Sequence, residues 1–172
     1  ILVSCAQKFN VVVIVPSFER LSFWADAQPA QILSSRDKNI ESGVARLKGD
    51  TIVGLTILVN KYDGIDLPDE ACRILVVDGL PMMRSEYDIA IQGMNPNDKQ
   101  ICREQIQKIE QGMGRGVRSN NDYCVVVFMG DKLADAIVNQ HGDQFFSPAT
   151  YEQLNLSRQL WEQLMETGKK PD

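Results

Sequence analysis

Two arginines three residues apart, Arg115 and Arg118, lie in the glycine-rich stretch QGMGRGVRS from Gln111 to Ser119. Arginine stays charged, and its planar fork of donors matches phosphate oxygens. Glycines let a backbone approach such a ligand closely. Residues three apart share one helix face, so both guanidinium groups can converge on one anion at a helix end. The plainer alternative is a solvated helix end whose arginines pair with nearby acids. No G-x-x-x-x-G-K-[ST] run occurs in the chain, so a bound nucleotide would need its main phosphate cradle from elsewhere. In a second stretch, NKYDGIDLPDE, Asp63 and Asp66 flank Gly64 ahead of Pro68. Asp66 is a candidate for the same cleft, or simply a turn carboxylate before proline. Ser17, after Pro16, suits either a helix cap at Phe18 or a contact with a ligand.

These residues need elements to hold them. Apolar runs rich in β-branched residues recur at 11–17 (VVVIVPS), 51–60 (TIVGLTILVN), 73–81 (RILVVDGLP) and 123–131 (YCVVVFMGD). They do not alternate with polar residues, which predicts strands buried on both faces of a parallel sheet. Helical patterns lie between them: FERLSFWADA after the first run, NIESGVARLKG before the second, DKQICREQIQKIEQ before the fourth. Strands alternating with helices predict an α/β layered domain. In an open parallel sheet, ligands bind at the carboxyl ends of strands, which directs attention to the segments after each run. The tail SPATYEQLNLSRQLWEQLME predicts an amphipathic helix capped at Ser147 or Thr150. Its apolar face holds Leu154, Leu160, Trp161 and Leu164, and is expected to pack on the sheet or on a missing neighbour. MNPNDK (94–99) predicts a loop. Trp24, Trp161 and the methionines are expected in the core or an interface.

Composition narrows the class. A chain of 172 residues, 44% apolar and 24% charged, fits one globular domain, and no apolar segment has the length of a membrane span. The net charge of −5 argues against nucleic-acid binding through overall charge but leaves room for a local basic groove. Cys5, Cys72, Cys102 and Cys124 show no C-x-x-C spacing, so no metal or iron–sulfur site is signalled, and a reduced, cytoplasmic protein is expected. The absence of an initiator methionine or signal-peptide pattern at ILVSCAQKFN leads us to expect a fragment of a longer protein.

QGMGRGVRS resembles motif VI of superfamily 2 helicases, Q-x-x-G-R-x-x-R. NKYDGIDLPDEACRILVVDGLP is similar to motif V of the DinG-like and XPD-like DNA helicases, in which an acidic glycine stretch precedes an apolar strand ending in leucine–proline. VVVIVPSFERLSFW resembles that group's motif IV, an apolar strand ending in proline–serine. Asp63 stands where the group usually has glutamate, Tyr62 where it often has tryptophan, and Met82 where an aromatic often follows leucine–proline.

By this resemblance, residues 1–172 form the C-terminal, second RecA-like lobe of a superfamily 2 DEAD/DEAH-type ATP-dependent DNA helicase. The implied fold is the P-loop-NTPase-type three-layer α/β domain, a mainly parallel sheet with helices on both faces. The resemblance implies ATP and Mg2+ as cofactors, bound mainly by a first RecA-like lobe that carries the Walker lysine. Arg115 and Arg118 would then be arginine fingers for the γ-phosphate, with Gln111 coupling the lobes and Gly64, Asp66 and Gly114 lining the nucleotide cleft. Ser17, Asn60 and Lys61 would contact the backbone of single-stranded or duplex DNA, and the lobe alone would be inactive. A translocase or ATPase of a restriction or phage-defence system, without strand separation, is the alternative within the motor class. A non-enzymatic α/β interaction module is the alternative outside it.

Overall fold

The computed structural model describes residues 1–34, 40–49, 51–63, 65–82, 99–114 and 123–166. Five parallel strands, β1 (Val11–Val15), β2 (Gln31–Ser34), β3 (Leu55–Val59), β4 (Ile74–Asp78) and β5 (Val125–Met129), form one sheet in the order β2-β3-β1-β4-β5. The central strand is β1, with Val11 opposite Leu55 on one side and Ile74 on the other.

Successive strand residues point to opposite faces, and β1 buries all five of its side chains. Val12 and Ile14 join Leu58, Leu75 and Val77 in one apolar layer, while Val11, Val13 and Val15 join Ile57 and Val76 in the other. That double burial explains the unbroken β-branched runs.

Helices cover both faces. The first layer receives α3 (Ile40–Leu47), α4 (Lys99–Met113) and α5 (Asp131–Val138) through Leu47, Ile106, Ile109 and Leu133. The second receives α1 (Leu2–Cys5) and the segment after β1, where a single turn, α2 (Phe18–Leu21), runs into a 3₁₀ stretch (Ser22–Ala27) that buries Trp24. The layered α/β architecture expected from the alternating pattern is therefore present.

Several expectations need correction. The strand β2 was not among the expected apolar runs: its QILS sequence contains only two apolar residues. The helix α5 was also missed, and the helix expected after β1 is mostly 3₁₀. The strand β5 is not buried on both faces. It is a sheet edge, only part-covered, with Val125 56% exposed.

The tail forms α6 (Pro148–Glu166), and Ser147 caps it, its hydroxyl oxygen accepting the Thr150 backbone N–H at 3.4 Å. Of the expected apolar face, Leu154 packs on the core, but Leu160 and Trp161 are more than half exposed. The Leu164 side chain and residues 94–98 of the expected loop lie outside the described residues, and Lys99 opens α4. No described helix is long and apolar enough to cross a membrane.

Candidate nucleotide and nucleic-acid site

Two sets of candidate residues occupy opposite edges of the sheet. At the carboxyl edge, Pro16 ends β1 and Ser17 turns the chain into α2, its oxygen accepting the Arg20 N–H at 3.2 Å. The capping alternative for Ser17 is thus realised, and its hydroxyl proton is still available to a ligand. Beside it, the Asn60 backbone N–H donates to the Val15 carbonyl at 2.7 Å, so the ends of β1 and β3 lie together. Asn60 sits at φ 50°, in the left-handed region that asparagine tolerates better than most residues, and its buried Oδ1 has no hydrogen-bond partner among the described residues. Lys61 leans towards Asp63 at 3.7 Å, over a half-buried stem.

Asp66 is not at that edge. After Lys61 the chain crosses the first face of the sheet, burying Tyr62, Ile65 and Leu67, and reaches the amino-terminal edge. There the Asp66 carboxylate meets Lys48 at 3.7 Å, just after α3. Asn10, which precedes β1, gathers this edge: its amide donates to the Leu47 and Glu70 carbonyls, and its Oδ1 accepts the Val53 and Gly54 N–H groups. Ser17, Asn60 and Lys61 therefore lie at the carboxyl ends of the strands and Asp66 does not.

The helix α4 leads to the arginine segment. Its buried residues, Ile101, Cys102, Gln105, Ile106, Ile109 and Gly112, fall three to four apart along one stripe. Gly112 lies against the crossing segment. A Cβ there would stand 3.4 Å from Ile14 Cδ1 and 3.5 Å from Tyr62 Cδ1, so the helix and the Tyr62 ring are in direct contact. Burial, with the charge of Asp78 adding to it, raises the Tyr62 pKa far above its ordinary value, and the phenol stays protonated. Its hydroxyl has no hydrogen-bond partner among the described residues.

Gln111 and Gly114 are exposed at the end of α4, where the Gly114 N–H closes the last turn onto the Glu110 carbonyl at 2.9 Å. Glu110 in turn fastens this end to α6, accepting bonds from the Ser147 N–H at 3.0 Å and from the Ser147 and Thr150 hydroxyls. Burial alone would raise the Glu110 pKa, but those bonds outweigh it and hold the carboxyl below the usual glutamate range. Arg115, Arg118 and Gly64 lie outside the described residues.

One cluster was not anticipated from sequence. Asp78, fully buried at the end of β4, accepts two bonds from the Arg20 guanidinium, at 2.9 and 2.7 Å, and one from the Trp24 indole N–H at 2.7 Å. Hydrogen bonding to Asp78 raises the already high pKa of Arg20, whose guanidinium also lies 4.5 Å over the Phe23 ring. Gly79 and Gly130, at φ 96° and 97°, turn the chain tightly beside the carboxylate, and a Cβ at Gly130 would stand 3.4 Å from Asp78 Oδ1. The cluster anchors α2, and with it Ser17, to the sheet. The only sequence signal was an acidic residue ending an apolar strand.

Among the described residues no group of three or more histidines, cysteines, aspartates or glutamates could hold a metal ion.

The sequence model of a family described as helicase C-terminal domain matches residues 2–147. No curated protein matches. Among solved structures, one titled "Structure of S. tokodaii Xpd4" is similar over 86% of this chain at 20% identity and a TM-score of 0.45. The chain spans 32% of the length of that one.

Proposed function

The chain belongs to the helicase C-terminal domain family, and from that premise we propose that it is the second motor lobe of an ATP-dependent DNA helicase, completing an ATP site built mainly by a first lobe. In this reading Arg115 and Arg118 reach the γ-phosphate, where an arginine finger supplies about 10³ to 10⁵ in rate. Gln111, Gly114, Gly64 and Asp66 line the nucleotide side. Ser17, Asn60 and Lys61 hold the phosphodiester backbone, using a few sequence-independent donors that an acidic lobe can still supply. ATP with Mg2+ supplies the phosphoryl chemistry, and the lobe by itself turns nothing over.

The observation that carries the reading is the division of Asp66 from Ser17, Asn60 and Lys61 between the two edges of one sheet. The crossing segment joins them, and its Tyr62 packs on Gly112 of the helix leading to the arginines. A ligand that moves one edge can thereby press on the other. In the parent protein, Lys61→Ala should weaken DNA binding while leaving nucleotide affinity unchanged, and Asp66→Ala should do the reverse. Both substitutions weakening the same ligand would contradict the division. ATPase without strand separation would favour the translocase reading, and no ATPase at all the interaction module.

A further inference from the structure

The sulfurs of Cys72 and Cys124 are 3.9 Å apart, although the residues are far apart in sequence. Both belong to the first apolar layer, Cys72 just before β4 and Cys124 just before β5. The backbones there are already at pairing distance, because the Val125 N–H donates to the Arg73 carbonyl at 3.0 Å and Ile74 pairs with Val125. A disulfide needs an S–S distance of about 2.05 Å, so the two sulfurs must approach further for the bond to form.

The two thiols differ in access. Cys72 is 1% exposed, whereas Cys124 is part-exposed and lines an open groove bounded by Gly114, Val126, Phe128 and Leu154. The remaining cysteines are placed elsewhere: Cys5 packs on the opposite face of the sheet, and Cys102 on α4, beside Gly142.

We propose that Cys72 and Cys124 form a thiol–disulfide site, with Cys124 the entering thiol and Cys72 the resolving one. A small disulfide of the glutathione class is the oxidant. The Cys124 thiolate attacks one of its sulfurs, breaking that S–S bond and releasing one thiolate, which takes up a proton. The Cys72 thiolate then attacks Cys124 Sγ in the mixed disulfide and expels the second small thiol. Two protein thiols are oxidised, and one small disulfide is reduced to two small thiols. The new bond fastens the start of β5, immediately after residues 115–122, to the start of β4. The chemistry holds whether or not the lobe is part of a motor.

The test is to incubate the folded protein with oxidised glutathione, block free thiols by alkylation, and map peptides by mass. The expected result is a cross-linked peptide pair containing Cys72 and Cys124, with Cys5 and Cys102 alkylated. In Cys72→Ser the mixed disulfide should accumulate on Cys124, and in Cys124→Ser neither product should form. Four alkylated cysteines in the wild type after oxidation, or a cross-link through Cys5 or Cys102, would overturn the proposal. The wild-type map decides even if a variant folds poorly.

Discussion

Replacing Asp78 with alanine should unfold the carboxyl edge before anything else. The carboxylate is fully buried and holds three hydrogen bonds. Trp24, 4% exposed, would keep a buried indole N–H with no acceptor, which costs about 1–3 kcal/mol. The Arg20 side chain is 34% exposed, so water can re-solvate its charge, and its loss is closer to the surface-pair range of about 0–1 kcal/mol than to the buried-pair range of about 3–5 kcal/mol. The sum is about 1–4 kcal/mol. At a urea slope of about 2 kcal/mol/M, the midpoint should fall by about 0.5–2 M. Asp78→Asn keeps an acceptor for Trp24 but turns an amide towards Arg20, and should fall between the two. Urea unfolding followed by Trp24 fluorescence reads this directly. A midpoint shift below about 0.3 M for Asp78→Ala would refute the argument that this carboxylate holds α2 to the sheet.

The acid limb of stability should depend on Glu110. Its folded carboxyl titrates below the usual range, so its contribution is complete above the unfolded value and lost as pH falls through the lower folded one. Glu110→Gln should flatten that limb of an unfolding–pH profile, and an unchanged profile would contradict the tie between α4 and α6. Tyr62→Phe removes a buried hydroxyl that has no hydrogen-bond partner among the described residues, so denaturant unfolding should show a change within about 1 kcal/mol, either neutral or stabilising. A loss above about 2 kcal/mol would mean that the hydroxyl is held.

Sequence pattern was most informative where burial is complete. The strands β1, β3 and β4 bury both faces, so their β-branched runs were unbroken and readable. The strand β2 escaped because an edge strand of four residues carries little apolar signal, and β5 misled because a run of valines looks the same at an edge as in the centre. The helix α4 was plain from its apolar stripe. Asp78 could not be paired with Arg20 and Trp24 from sequence, since partners 58 and 54 residues away meet only once the sheet is built. The stretch after β3 was read as lying at the carboxyl ends of the strands throughout, but the buried Ile65 and Leu67 show that the chain is crossing the sheet there, which carries Asp66 to the other edge from Asn60 and Lys61.

The central claim rests on Arg115 and Arg118, and the most direct measurement is DNA-stimulated ATP hydrolysis by the parent protein carrying Arg115→Ala or Arg118→Ala. The account predicts that turnover falls by about 10³ or more in at least one of them, while ATP and DNA affinities stay within a few-fold of wild type. Full turnover in both variants would contradict it.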